Sequence, residues 1–249
     1  MSHPFTGTRA LPFATFDVSS GVTKETGNLE EGKKPSIQDE LAALDTPRKH
    51  YKWYNSMAPA AHDWDNPAQG MAAFLRGYIH LKSAAWPGNH NIQPLKGWIA
   101  TELAKMPSYY VLPLHSTMPE AIAATMATVP ATEQDATKAW LSDADLEVYV
   151  NEWSRTGFQG GLNWYRTGSD PERMRDVDLF AGAQIIVPAT FISGASDWGN
   201  YQEPHALEQI PKLCKDLRGI RFIEGAGHWP QQEQPERVVK EFLDFLAGL

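Results

Sequence analysis

The chain has 249 residues, 42% of them hydrophobic, and a formal net charge of -8 at pH 7. That is enough apolar material for one large core or two small ones, and the acidic balance leaves no basic footprint for nucleic acid or anionic lipid. The single Cys214 excludes an internal disulfide, and no Cys/His cluster has metal-ligand spacing, so neither a metal nor a cofactor is expected.

In chain order, residues 1–18 hold short apolar pieces broken by Pro4, Gly7 and Pro12, and a polar stretch with Gly21, Gly27, Gly32 and Lys33-Lys34 follows to about residue 35. The first is expected to be a residual core strand and connection, the second a flexible loop. Helical patterning begins at Ser36. Ser36-x-x-Asp39 forms a capping box, and Ile37, Leu41 and Leu44 follow at spacings of four and three. Pro67–Lys82 places Met71, Phe74, Tyr78 and Leu81 on one stripe. A second box, Ser142-x-x-Asp145, opens Ser142–Thr156, with Leu146, Tyr149 and Trp153 on its apolar face. A mainly helical domain is therefore expected over 36–180.

From 181 to 249 the period changes. Ile185–Ile192 reads as a strand interrupted by Pro188, Pro204–Leu217 as a helix, and Ile220–Ile223 as a second strand. A last helix opens near Pro235, with Val238, Val239, Phe242 and Leu246 expected to be buried. This β-α-β-α order is that of a parallel sheet, so the class is α/β. No internal repeat or low-complexity tract interrupts it.

Two loops carry the chemistry. Gly194-Ala195-Ser196-Asp197-Trp198 and Gly225-Ala226-Gly227-His228-Trp229 each follow a strand, and loops at the carboxyl ends of parallel strands are where open α/β sheets assemble sites. Asp197 and His228 could meet there as an acid and a base, half of a hydrolase triad. The nucleophile on a sharp strand-to-helix turn is missing: no G-x-S-x-G or G-x-D-x-G occurs in the chain. Plainer roles compete. Asp197 could cap a helix starting at Trp198, His228 could be a turn histidine, and Tyr78, Tyr109 and Tyr165 could be packing aromatics. The other histidines lack metal-like spacing.

The two loops, together with Gly160-Gly161-Leu162-Asn163-Trp164-Tyr165-Arg166 and Gln231-Gln232-Glu233-Gln234-Pro235-Glu236, resemble the α/β-hydrolase superfamily in its epoxide-hydrolase and haloalkane-dehalogenase branch. The resemblance implies a partial α/β-hydrolase fold with a helical cap domain and a truncated, mostly parallel sheet. It implies that Tyr165 donates a hydrogen bond to an opening epoxide, that His228 is the general base and that Asp197 orients it. Tyr78 would be the second cap tyrosine, although that position can also be counted onto Leu75. Trp164, Trp198 and Trp229 would line the pocket for a small to medium apolar molecule. In such a family the strands and elbow precede the cap, whereas Met1–Phe5 resembles the end of the strand after the nucleophile helix. An incomplete sheet is thus expected to need a homodimer or another partner to cover it. The alternatives are a non-covalent acid-base enzyme, such as an isomerase, dehydratase or cyclase, or a non-catalytic binding module. The start lacks a signal-peptide layout and no run approaches about 18 apolar residues, so a cytoplasmic protein without membrane contact is expected.

Overall fold

The computed structural model describes residues 35–170, 172–173, 175 and 183–249. The strand and connection expected at 1–18, almost all of the loop at 19–35, and the boundary between 180 and 181 lie outside those residues.

Helix α1 (Ile37–Ala42) opens on the expected capping box: the Asp39 N–H donates to the Ser36 hydroxyl, and the Asp39 carboxylate accepts from the Ser36 N–H. Strand β1 (Arg48–His50) and helices α2 (Tyr51–Ser56), α3 (Ala60–Asp65) and α4 (Met71–Lys82) follow. Next come α5 (Ala100–Leu103), β2 (Val111–Pro113), α6 (Met118–Met126) and α7 (Ala131–Gln134). Helices α8 (Asp143–Thr156) and α9 (Gln159–Ser169) close the helical part. Strands β1 and β2 pair antiparallel, His50 opposite Val111. The sequence gives no sign of them, because three residues are too few to display alternation.

These helices share one large core. Leu41, Phe74, Leu81, Leu103, Leu112, Met118 and Ile122 are fully buried in it, and aromatic edges knit it together. Trp64 meets Phe74 edge-on at 5.2 Å, and Trp153 stacks on Phe158 at 4.2 Å. The expected stripe on α4 holds, with Phe74 and Leu81 buried and Met71 and Tyr78 half-buried. On α8, Leu146 is buried, while Tyr149 stays exposed and its hydroxyl accepts from the Gln232 side chain.

After this layer come β3 (Ile185–Gly194), α10 (Ala206–Leu213), β4 (Cys214–Ile223), α11 (Pro230–Glu233) and α12 (Pro235–Ala247). β3 and β4 run parallel, from Ile185 opposite Cys214 to Gly194 opposite Ile223. The register shifts beside Pro188, which has no N–H for the ladder. Two expectations need correction. The helix read over Pro204–Leu217 is only Ala206–Leu213, and the second strand starts at Cys214 rather than Ile220. Pairing with β3 overrides the helical preference of Cys214–Leu217, a tertiary effect invisible in a local window. On α12 only Val238 is buried, while Val239, Phe242 and Leu246 stay exposed. The sheet beneath has two strands among the described residues, so one turn of the helix finds a partner. The sheet's own core is correspondingly small: Ile223, Ala226 and Val238, with Ile192 against them. Among the described residues no helix is long and apolar enough to cross a membrane.

Candidate active site

Strand ends aim the acid and the base. Beyond Gly194 the chain turns through Ala195 and Ser196, whose N–H groups donate to the carbonyls of Ile223 and Ala226. The acid loop is thereby tied to the end of β4 before Asp197 is reached. The approach is so close that a Cβ on Gly194 would lie 2.0 Å from the Gly227 carbonyl oxygen, so only glycine fits.

The histidine loop is held from the other side by α4 and α11. The His228 N–H donates to the Lys82 carbonyl at 2.9 Å, and the Trp229 indole donates to the Ile79 carbonyl at 3.1 Å. Glu233 is the staple. Its Oε1 accepts from the N–H groups of Gly227 and Trp229, at 2.9 and 3.1 Å, and its Oε2 accepts from Ala84 at 2.7 Å. Burial pushes its carboxyl pKa up against those three donors.

The loops bring His228 Nδ1 to 3.1 Å from Asp197 Oδ2. Asp197 is 2% exposed. Its other oxygen accepts from the Gly199 N–H at 2.7 Å and from the Tyr110 hydroxyl at 3.4 Å, so the capping role and the pairing with histidine coexist. Burial alone would raise the Asp197 pKa, but His228, the Gly199 N–H and Lys82 together hold it at about 2. The His228 pKa lies below its usual 6.5, chiefly through burial and then through the Lys82 charge, with Asp197 opposing both. The ring is thus neutral at pH 7. With Nδ1 donating to the carboxylate, Nε2 carries the lone pair of a base.

Tyr165 lies on α9 with its ring edge-on to Tyr51 at 5.9 Å. Burial, aided by Tyr78, pushes its pKa up to about 12 against the opposing effects of Lys82 and the Asn55 side chain. It remains a hydrogen-bond donor at any physiological pH. Tyr78 packs between Trp64 and Trp229, at 5.2 and 6.5 Å, in core-like company. Leu75, the other candidate for that position, is buried. Tyr109 is a core residue whose hydroxyl donates to Asn89. Trp229 sets its ring edge-on to His228 at 4.8 Å, Trp198 is buried in the large core, and Trp164 is 37% exposed.

Sequence reasoning missed three residues here. Tyr51 donates to Gln202 at 3.0 Å, tethering the chain just after Asp197. Glu233 lay inside a quoted motif without a role. Lys82 is 5% exposed, with its ammonium 4.8–5.9 Å from the ring centres of Tyr51, Tyr78, Tyr109 and Tyr110. The one sequence signal for it is the Tyr78-x-x-x-Lys82 spacing, which puts both on one face of α4. Among the described residues no group of three or more His, Cys, Asp or Glu could hold a metal ion.

No protein-family model matches the chain. It is 42% identical over 113 residues to Epoxide hydrolase A of Mycobacterium tuberculosis, which is 45% of this chain and 33% of that protein. Over 111 residues it is 38% identical to Epoxide hydrolase B of the same organism, covering 45% and 31%. A solved epoxide hydrolase from an endophytic Streptomyces superposes with a TM-score of 0.61 at 25% identity, over 86% of this chain and 56% of that one. Over these stretches the chain is similar to epoxide hydrolases of the α/β-hydrolase superfamily. Epoxide Hydrolase A from Mycobacterium thermoresistibile has the same fold, with a TM-score of 0.54 at 27% identity over 81% and 53% of the two chains. The chain thus spans about a third of the length of the curated relatives it matches and just over half of the solved ones. Helical layer and small parallel sheet together make a partial α/β-hydrolase fold.

Proposed function

We propose that the chain performs epoxide hydration on small to medium apolar epoxides. Tyr165 donates a hydrogen bond to the epoxide oxygen as its C–O bond breaks, and His228, oriented by Asp197, takes a proton from the attacking water. The observation that carries this reading is the 3.1 Å contact between His228 Nδ1 and Asp197 Oδ2, made by two loops at the ends of parallel strands. Water has two routes: against an ester formed by an attacking carboxylate, as the family resemblance implies, or directly against the epoxide carbon.

The test is diol formation by the full chain from styrene oxide, alongside His228→Ala, Asp197→Asn and Tyr165→Phe. The wild type is expected to exceed the buffer rate, and each substitution to remove most of that excess. No diol, or the same diol rate in His228→Ala, would sink the reading. A single turnover in ¹⁸O-water separates the two routes, because direct attack labels the first diol formed and an ester intermediate labels the protein first. A cytoplasmic location belongs to the same proposal, supported by the one buried free thiol, Cys214.

A further inference from the structure

We propose that Lys82 is the oxyanion-receiving residue of this site, its ammonium held between Tyr51, which packs edge-on to Tyr165, and Tyr110, which donates to Asp197, to take an anionic oxygen of the ligand. The inference shares its site with the proposed hydration, but one of its tests needs no turnover.

The chain contains its own control. Lys52 is as deeply buried as Lys82, and it pairs with the Glu203 carboxylate at 2.5 Å. Lys82 has no carboxylate within 4 Å and no hydrogen-bond acceptor among the described residues; four tyrosine rings surround its ammonium instead. Aromatic faces attract a cation within about 6 Å but accept none of its N–H hydrogens in a strong hydrogen bond. All four phenols have pKa values raised by burial, so none is a phenolate counter-ion. An ammonium in so apolar a setting is costly unless water or a ligand takes its hydrogens, and Lys82, 5% exposed, has only aromatic faces around it. The Lys82 carbonyl accepts the His228 N–H, which fixes the lysine relative to the base. Its charge is felt by Asp197, His228 and Tyr165 alike. Tyr51 bridges the two donors, with one ring against both Lys82 and Tyr165.

An anionic oxygen can come from two sources: a carboxylate carried by the ligand, or the alkoxide formed as an epoxide opens. Titrating the full chain with phenylacetate and with its neutral isostere phenylacetamide reads the first. If the ligand carries the charge, the acid binds roughly 10- to 100-fold more tightly than the amide, the scale of one charge-assisted hydrogen bond, and Lys82→Met erases the preference. If the alkoxide is the anion, acid and amide bind alike, and Lys82→Met lowers kcat for styrene oxide at least tenfold with KM little changed. Near-ultraviolet circular dichroism of Lys82→Met and Lys82→Gln checks that the fold is kept. The acid/amide comparison on the wild type stands even if both variants unfold. No acid preference together with no kcat loss, or with no turnover at all, would overturn the proposal. Acid preference without any diol would support Lys82 while ending the hydration reading.

Discussion

Asp197 gives one oxygen to His228 and the other to the Gly199 N–H, so its replacement can be chosen to spare one contact and disable the other. Asp197→Asn keeps an oxygen for Gly199 but cannot carry the charge that steadies a protonated imidazole. Diol formation is expected to fall by up to about 10⁴-fold, the loss that follows when a triad acid is neutralised, with the far-ultraviolet spectrum unchanged. The pH profile follows from the same groups. His228 has a pKa below 6.5, so activity should hold below that value and fall on an acid limb at lower pH. Lys82→Met removes a like charge and should move that limb upward; Asp197→Asn removes the opposite charge and should move it down. Stability has the same sign at both residues. The Asp197 pKa is depressed from 3.8 to about 2, so its stabilising contribution is present above 3.8 and is lost as pH falls toward 2. His228 is depressed too, so the unfolded ring binds a proton first and unfolding becomes easier as pH falls below 6.5. A denaturant midpoint that rises on acidification through this range would contradict both. Asp197 and His228 were legible in the sequence because glycine-flanked loops after strands are local signals. Lys82 was not, since its surroundings come from α2, α4 and the residues before β2, and no local pattern encodes that meeting.

Glu233 serves as a joint between elements, holding the carboxyl end of β4 against the turn that follows α4. Glu233→Ala would leave the N–H groups of Ala84, Gly227 and Trp229 without their acceptor, a loss of about 2–4 kcal/mol and a melting temperature lower by roughly 5–15 °C for a chain of this size. Glu233→Gln, which keeps one oxygen, should lose less. Gly194→Ala attacks the same joint from the acid side, forcing a methyl group into the Gly227 carbonyl. It should lower stability and diol formation together, and equal activity in Gly194→Ala would show that the loops need not meet. Capping boxes at Ser36 and Ser142 were readable because they involve residues three apart. The start of β4 was misread because its pairing partner, β3, lies some thirty residues away. Periodicity foresaw α12 but not its exposure, since periodicity identifies an apolar face without saying what covers it.

That exposure belongs to the whole molecule. Val239, Phe242, Leu243 and Leu246 recur at the spacing of one helical face on α12, all more than half exposed, and Ile186 and Val187 stand exposed on β3. Parallel sheets are ordinarily covered on both faces, and a contiguous apolar patch on a protein surface marks an interface or an association liability. The helical layer carries fewer such residues on any one face, and its large aromatic core also takes in Trp198 and Trp229 from the loops after β3 and β4. Stability should therefore be uneven. Amides of α4 and α6 are expected to exchange slowly and those of β3, β4 and α12 faster, with the sheet protected as a second copy of the chain covers α12. Sedimentation velocity across a hundredfold concentration range should show a shift from monomer toward dimer, and Leu243→Lys with Phe242→Lys should hold the chain monomeric without lowering protection in α4. A wild-type chain that stays monomeric throughout and melts in one cooperative step, with β4 as protected as α4, would mean that β3 and β4 are stable with the apolar face of α12 in water.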